Sequence, residues 1–294
     1  MADPVIPLPD RLVELPGGRR VALDDRGDDD GSPVLYCHGS PDSRFARHPD
    51  DSLAAIARVR LLAADRPGIG HSDVDPDATP TSVADDLAAV LDHLGIERVG
   101  VLSWSTGAIH ALAFAGTHPD RCRRVVLAAP LVPADAYDDP TVLDGSDDAR
   151  RLFADAHRGM DPGDVGAELA PWLVPPVIDD ATAREMMAGS ITALADIPGA
   201  DDQLALAVRA SVAAGMTGVE RDIAAQATRL DALLDRITAT ASVHVGADDA
   251  VTPPAMARWI GRRLDVRPQV HDGIGHELAI RRWADLLQEA AAEG

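Results

Sequence analysis

The stretch that most constrains the fold runs from residue 98 to 119 and reads RVGVLSWSTGAIHALAFAGTHP. A short apolar run, Val99 to Leu102, breaks on Ser103-Trp104-Ser105-Thr106-Gly107, and a nearly all-apolar segment, Ala108 to Gly116, follows. A β-strand that feeds a buried helix is written this way. The small residues two places before and two places after Ser105 permit a tight, strained turn. Such a turn lifts the central hydroxyl above the sheet, beside the free N–H groups that open the helix. Ser105 is therefore the candidate nucleophile. Ser103 is the competing serine, but Val101 would then stand two places before it, where a β-branched side chain crowds the bend.

The segments on either side alternate between strand and helix. Leu12 to Leu15 and Arg19 to Leu23 read as strands joined by Pro16-Gly17-Gly18, and the acidic run Asp24 to Ser32 reads as an exposed loop. Pro33 to Cys37 and Arg60 to Ala64 are short apolar strands, ending in His38-Gly39-Ser40-Pro41 and in DRPGIGHSD at 65–73. Ser82 to Leu94 has a helical period, with Ser82 and Asp85 as a capping box and Gly95 as the stop. Arg124 to Ala129 gives another buried strand. After Pro130 the alternation ceases, and residues 131–220 read as proline-broken helices without a strand. It resumes with a helix over Asp222 to Leu234 and a strand over Ser242 to Val245 that ends in GADDAVTP at 246–253. A helix over Pro253 to Leu264, a strand over Arg267 to Val270, the turn Asp272 to His276 and a final helix complete the chain. The pattern predicts an α/β fold: a mostly parallel central sheet with helices on both faces. Residues 1–130 and 221–294 would form its core, and 131–220 an inserted helical cap.

A chain of 294 residues suits one large domain with an insertion. Acidic residues outnumber basic ones 48 to 27, giving a net charge of −21. There is no lysine, and only eight of the acids are glutamate. Such a surface repels nucleic acid and anionic membranes, so neither is an expected partner. No apolar run approaches the ~18 residues a membrane span needs. The N-terminal residues lack a basic segment followed by an apolar one, so a cytoplasmic location is expected. Cys37 and Cys122 are expected as reduced, buried thiols. The short, dense carboxylates resemble those of proteins from salt-loving microbes, in which self-repulsion weakens the fold at low salt. The melting temperature should rise between dilute buffer and molar salt, and an unchanged value would contradict a halophilic origin of the charge. Gly68-x-Gly70 lacks the third glycine and the immediate helix of a dinucleotide site, and no closely spaced His, Cys or Asp set suggests a metal. No cofactor is expected.

Four motifs in order carry a resemblance: HGSP at 38–41, DRPGIGHSD at 65–73, SWSTG at 103–107, and GADDAVTP at 246–253 followed by GIGH at 273–276. Over roughly residues 33–280 the chain resembles an α/β-hydrolase with a helical cap. It departs at Ser103, where the family usually has glycine. The resemblance implies that His276, on the glycine-rich turn after the last strand, is the base that takes the Ser105 proton. It implies Asp249 as the acid, three residues after Gly246, with Asp248 as a solvent-facing neighbour and Asp135 as the substitute some members use. The backbone N–H groups of Thr106 and Ser40 would bind the oxyanion. The implied activity is that of a serine hydrolase acting on the ester bond of a small molecule, without a cofactor. A serine nucleophile points away from relatives that use aspartate on halides or epoxides. A proline iminopeptidase and a carbon–carbon bond hydrolase are the other enzymatic readings, and a binding protein on the same scaffold is the non-enzymatic one.

Overall fold

A computed structural model describes residues 5–156 and 158–293. Eight strands form one sheet: β1 (Arg11–Glu14), β2 (Arg20–Gly27), β3 (Ser32–Cys37), β4 (Val59–Ala64), β5 (Val99–Trp104), β6 (Cys122–Ala128), β7 (Thr240–Gly246) and β8 (Gln269–His271). Their spatial order is β1-β2-β4-β3-β5-β6-β7-β8. The two pairs involving β2 are antiparallel, and all other neighbours are parallel. The apolar runs read as strands because both faces are covered, and successive side chains go to opposite sides. Leu35, Val101, Val125 and Val243 pack with helices α2 (Pro80–His93) and α3 (Gly107–Thr117). Val34, Tyr36, Leu102 and Val126 face the other way, towards the short helix α1 (Ser52–Ile56) and the C-terminal segment.

Between β6 and β7 the chain forms α4 (Asp148–Ala156), α5 (Pro162–Leu173), α6 (Asp180–Met186), α7 (Ala188–Ala193), α8 (Ala200–Ser211), α9 (Thr217–Gln226) and α10 (Asp231–Leu234). After β7 come α11 (Pro254–Arg263), α12 (Leu278–Arg281) and α13 (Trp283–Ala291). The sequence-drawn boundary at 220/221 falls inside α9. Glycine lets this insertion sit close to the core. A methyl group on Gly68 would lie 2.9 Å from the Gly218 nitrogen, so the two backbones touch there. Gly68 of DRPGIG thus serves helix docking.

The sequence reading needs correction in four places. The run from Asp24 is no exposed loop, because β2 continues to Gly27 and Asp24 is buried. Its carboxylate is paired with Arg44 at 2.8 Å and Arg47 at 3.1 Å, so ion pairing conceals a strand behind a polar sequence. The capping box of α2 is Thr79 with Ser82, because Pro80 fits the first helical position. The predicted helix over 222–234 is two: α9 starts earlier, and a turn over 227–230 precedes α10, where the buried Asp135 carboxylate takes the Leu230 N–H. The last strand starts at Gln269, just after Pro268, which has no N–H to give the ladder. Helix α1 was not foreseen. Cys37 and Cys122 are free and buried, and burial pushes both thiols up to about 12.

Candidate active site

Parallel strands place all their C-terminal ends at one edge of the sheet, and the loops beyond them form the site. β5 ends at Trp104, and Ser105 turns the chain into α3 with φ +57°, the left-handed region that side chains normally avoid. Gly107 permits that turn. A methyl group there would lie 2.0 Å from the Cys37 carbonyl oxygen, so only glycine lets α3 begin against the end of β3. Ser103, two residues before Ser105, is fully buried, and its hydroxyl has no hydrogen-bond partner among the described residues. Neither the Thr106 N–H at the start of α3 nor the Ser40 N–H meets an acceptor among the described residues.

The loops after β7 and β8 complete the constellation. Ser105 Oγ lies 3.0 Å from His276 Nε2, and His276 Nδ1 lies 2.9 Å from Asp249 Oδ2. Asp249 Oδ1 accepts the N–H groups of Val251 and Thr252 at 2.9 and 2.8 Å. Burial pushes the Asp249 carboxyl up, but the His276 ring and the Thr252 hydrogen bonds outweigh it and hold the group below the usual carboxylate range. It stays ionised at neutral pH, able to fix the ring and to stabilise an imidazolium. Asp248 is exposed. Asp135 is engaged elsewhere, 3.0 Å from Arg229 and bound to the Leu230 N–H. The structure thus brings Ser105, His276 and Asp249 together and leaves Asp135 and Asp248 out.

A family model described as alpha/beta hydrolase fold matches residues 32–168. A meta-cleavage product hydrolase from Pseudomonas fluorescens IP01 superposes with a TM-score of 0.66 at 20% identity, covering 95% of this chain and 96% of that one. The chain has the α/β-hydrolase fold. Another similar α/β-hydrolase structure is a thermophilic esterase from Thermogutta terrifontis, with a TM-score of 0.58 and 25% identity over 95% of this chain and 96% of that one. By sequence, an epoxide hydrolase of Caballeronia sordidicola is 36% identical over 106 residues, 35% of this chain and 32% of that protein. The chain spans about a third of the length of the first curated relatives it matches.

Several residues of this α/β-hydrolase site were not foreseen. Trp104 donates its indole N–H to the His276 carbonyl at 2.8 Å, with the two rings 5.8 Å apart. The Thr252 hydroxyl lies 2.9 Å from Asp249 Oδ2. Arg66, from the DRPGIG loop, is buried. It grips Asp222 of α9 through two hydrogen bonds of 2.6 Å and donates to the carbonyls of His38 and Gly39 at 2.7 and 2.6 Å. One guanidinium therefore ties the insertion to the loop that carries Ser40. Each of these residues lies in or beside a motif, but no spacing rule announces its partner. Among the described residues no group of His, Cys, Asp or Glu could hold a metal ion, and no helix is long and apolar enough to cross a membrane.

Proposed function

We propose that the chain is a serine hydrolase that cleaves the ester bond of a small molecule through an acyl-enzyme. The observation that carries this reading is the hydrogen-bonded run from Ser105 Oγ through the His276 ring to Asp249. A serine hydroxyl is a weak nucleophile until a base takes its proton, and His276 Nε2 is within reach to do so. Attack on the acyl carbon would place negative charge on the carbonyl oxygen, where the Thr106 and Ser40 N–H groups are the donors. His276 then protonates the departing alcohol. In the second half it takes a proton from water, which attacks the acyl-enzyme and releases the acid and Ser105. Asp249 holds the ring in the tautomer that keeps Nε2 free to accept.

A cleft of about 340 Å³ lies over Ser105, lined on the insertion side by Phe153, Leu173, Met186 and Met187. That size and apolar lining suit a short acyl or alcohol group. The helices from α4 to α9 would act as the lid that excludes water. Short p-nitrophenyl esters, assayed beside styrene oxide, should be turned over while the epoxide is not. Opening of the epoxide without turnover of any ester would overturn the reading.

A further inference from the structure

In this arginine-rich, lysine-free protein the buried aspartates are paired: Asp24 with Arg44 and Arg47, Asp65 with Arg44, and Asp222 with Arg66. Asp42 is the exception in the cleft. It is 7% exposed, and its Oδ1 is buried with no hydrogen-bond partner among the described residues. It also lines the same cleft as Ser105 and His276. A methyl group on Gly39 would lie 2.8 Å from Asp42 Oδ2 and 3.4 Å from Ser105 Cβ, so the two groups are no farther apart than the sum of those distances. Asp42 and Ser105 are therefore close neighbours on the wall of one cleft.

The groups around Asp42 are already committed. Arg66 holds Asp222 and two carbonyls, and His276 holds Ser105 and Asp249. Burial pushes the Asp42 carboxyl up to about 6, against the pull of Arg66 and His276 and with repulsion from Asp222. At pH 7 and above it is mostly ionised. A buried carboxylate without a cation is costly to keep, and a ligand that brings the cation removes that cost.

We propose that Asp42 is a specificity residue that pairs with a substrate ammonium group two bonds from the acyl carbon, so that esters of amino-substituted acids are favoured. This rests on the ester-hydrolase reading of Ser105. An uncharged ester of the same shape would leave the carboxylate buried and unpaired.

The test compares alanine methyl ester with methyl isobutyrate at pH 7, in which a methyl group replaces the ammonium. An ammonium group also activates an ester electronically in any enzyme, so the diagnostic quantity is the change in the kcat/KM ratio on Asp42→Asn. The ratio should fall by at least about 30-fold, the range for losing one partner of a buried charge pair. A second arm measures binding of alaninamide and isobutyramide to Ser105→Ala by calorimetry. Alaninamide should bind more tightly, and the preference should vanish in the Ser105→Ala, Asp42→Asn double variant. Melting curves guard against a merely structural role. The folded state raises this carboxyl from 3.8 to about 6, so it costs stability as pH rises through that window. Asp42→Asn should therefore melt above the wild type at pH 8, and a lower melting point there would contradict the unpaired carboxylate. A ratio that moves less than threefold while both esters are hydrolysed overturns the ammonium site and leaves the hydrolase reading standing. If neither ester is hydrolysed but alaninamide binding still depends on Asp42, the hydrolase reading falls and the ammonium site stands. Equal binding of the two amides to Ser105→Ala overturns the site.

Discussion

Ser105→Ala is expected to lower kcat on a p-nitrophenyl ester by about 10³-fold or more, with the melting temperature close to that of the wild type. The change removes the attacking oxygen but leaves the turn intact. The left-handed φ of +57° strains alanine and serine alike, and the lost hydrogen bond to His276 lies at a ring that solvent still reaches. The remaining turnover would come from the oxyanion donors and from binding. Ser103→Ala is the matched control. Its hydroxyl has no partner among the described residues, so the rate should stay within about threefold of wild type. Equal turnover by wild type and Ser105→Ala would remove the nucleophile from the account.

Arg66→Leu should have the second-largest effect, on stability and rate together. It leaves the Asp222 carboxylate buried without its guanidinium and releases the carbonyls of His38 and Gly39. Breaking a buried pair by removing one partner costs about 3–5 kcal/mol. In a chain of this size that lowers the melting temperature by roughly 10 °C, read by calorimetry. Loosening the Ser40 loop should also reduce kcat on esters, because a misplaced donor stabilises the oxyanion less. The double variant Arg66→Leu, Asp222→Leu should recover much of the stability, since no lone charge is left, but not the rate. A single variant as stable as the wild type would show that the clamp carries no weight.

Much of the fold could be read from the chain because its parallel strands are short, apolar and punctuated by glycine and proline. The turn at Ser105 was legible because its small neighbours and the alanine-rich helix lie next to it in sequence. What escaped was long-range and polar. Asp24 sits in a strand, but its partners Arg44 and Arg47 lie about twenty residues on, so the segment looked like a loop. The DRPGIG motif was visible, yet Arg66 gains its meaning from Asp222, 156 residues later. The resemblance implied Asp249 as the acid, with Asp135 as the substitute. The structure sets Asp249 at 2.9 Å from the ring of His276 and Asp135 beside Arg229. Asp42 lay one residue past a recognised motif, and nothing in its neighbours signals that it goes unpaired.

The central claim is that Ser105 Oγ is the nucleophile, and covalent labelling tests it most directly. A fluorophosphonate is attacked at phosphorus by an activated serine, with loss of fluoride, and the adduct persists. Cleavage after arginine yields the peptide Val99 to Arg121, which contains both Ser103 and Ser105, so fragmentation by mass spectrometry must place the added mass. The account predicts one adduct on Ser105 in the wild type, none in Ser105→Ala, and greatly slowed labelling in His276→Ala. An adduct on Ser103, or undiminished labelling of Ser105→Ala, would contradict it.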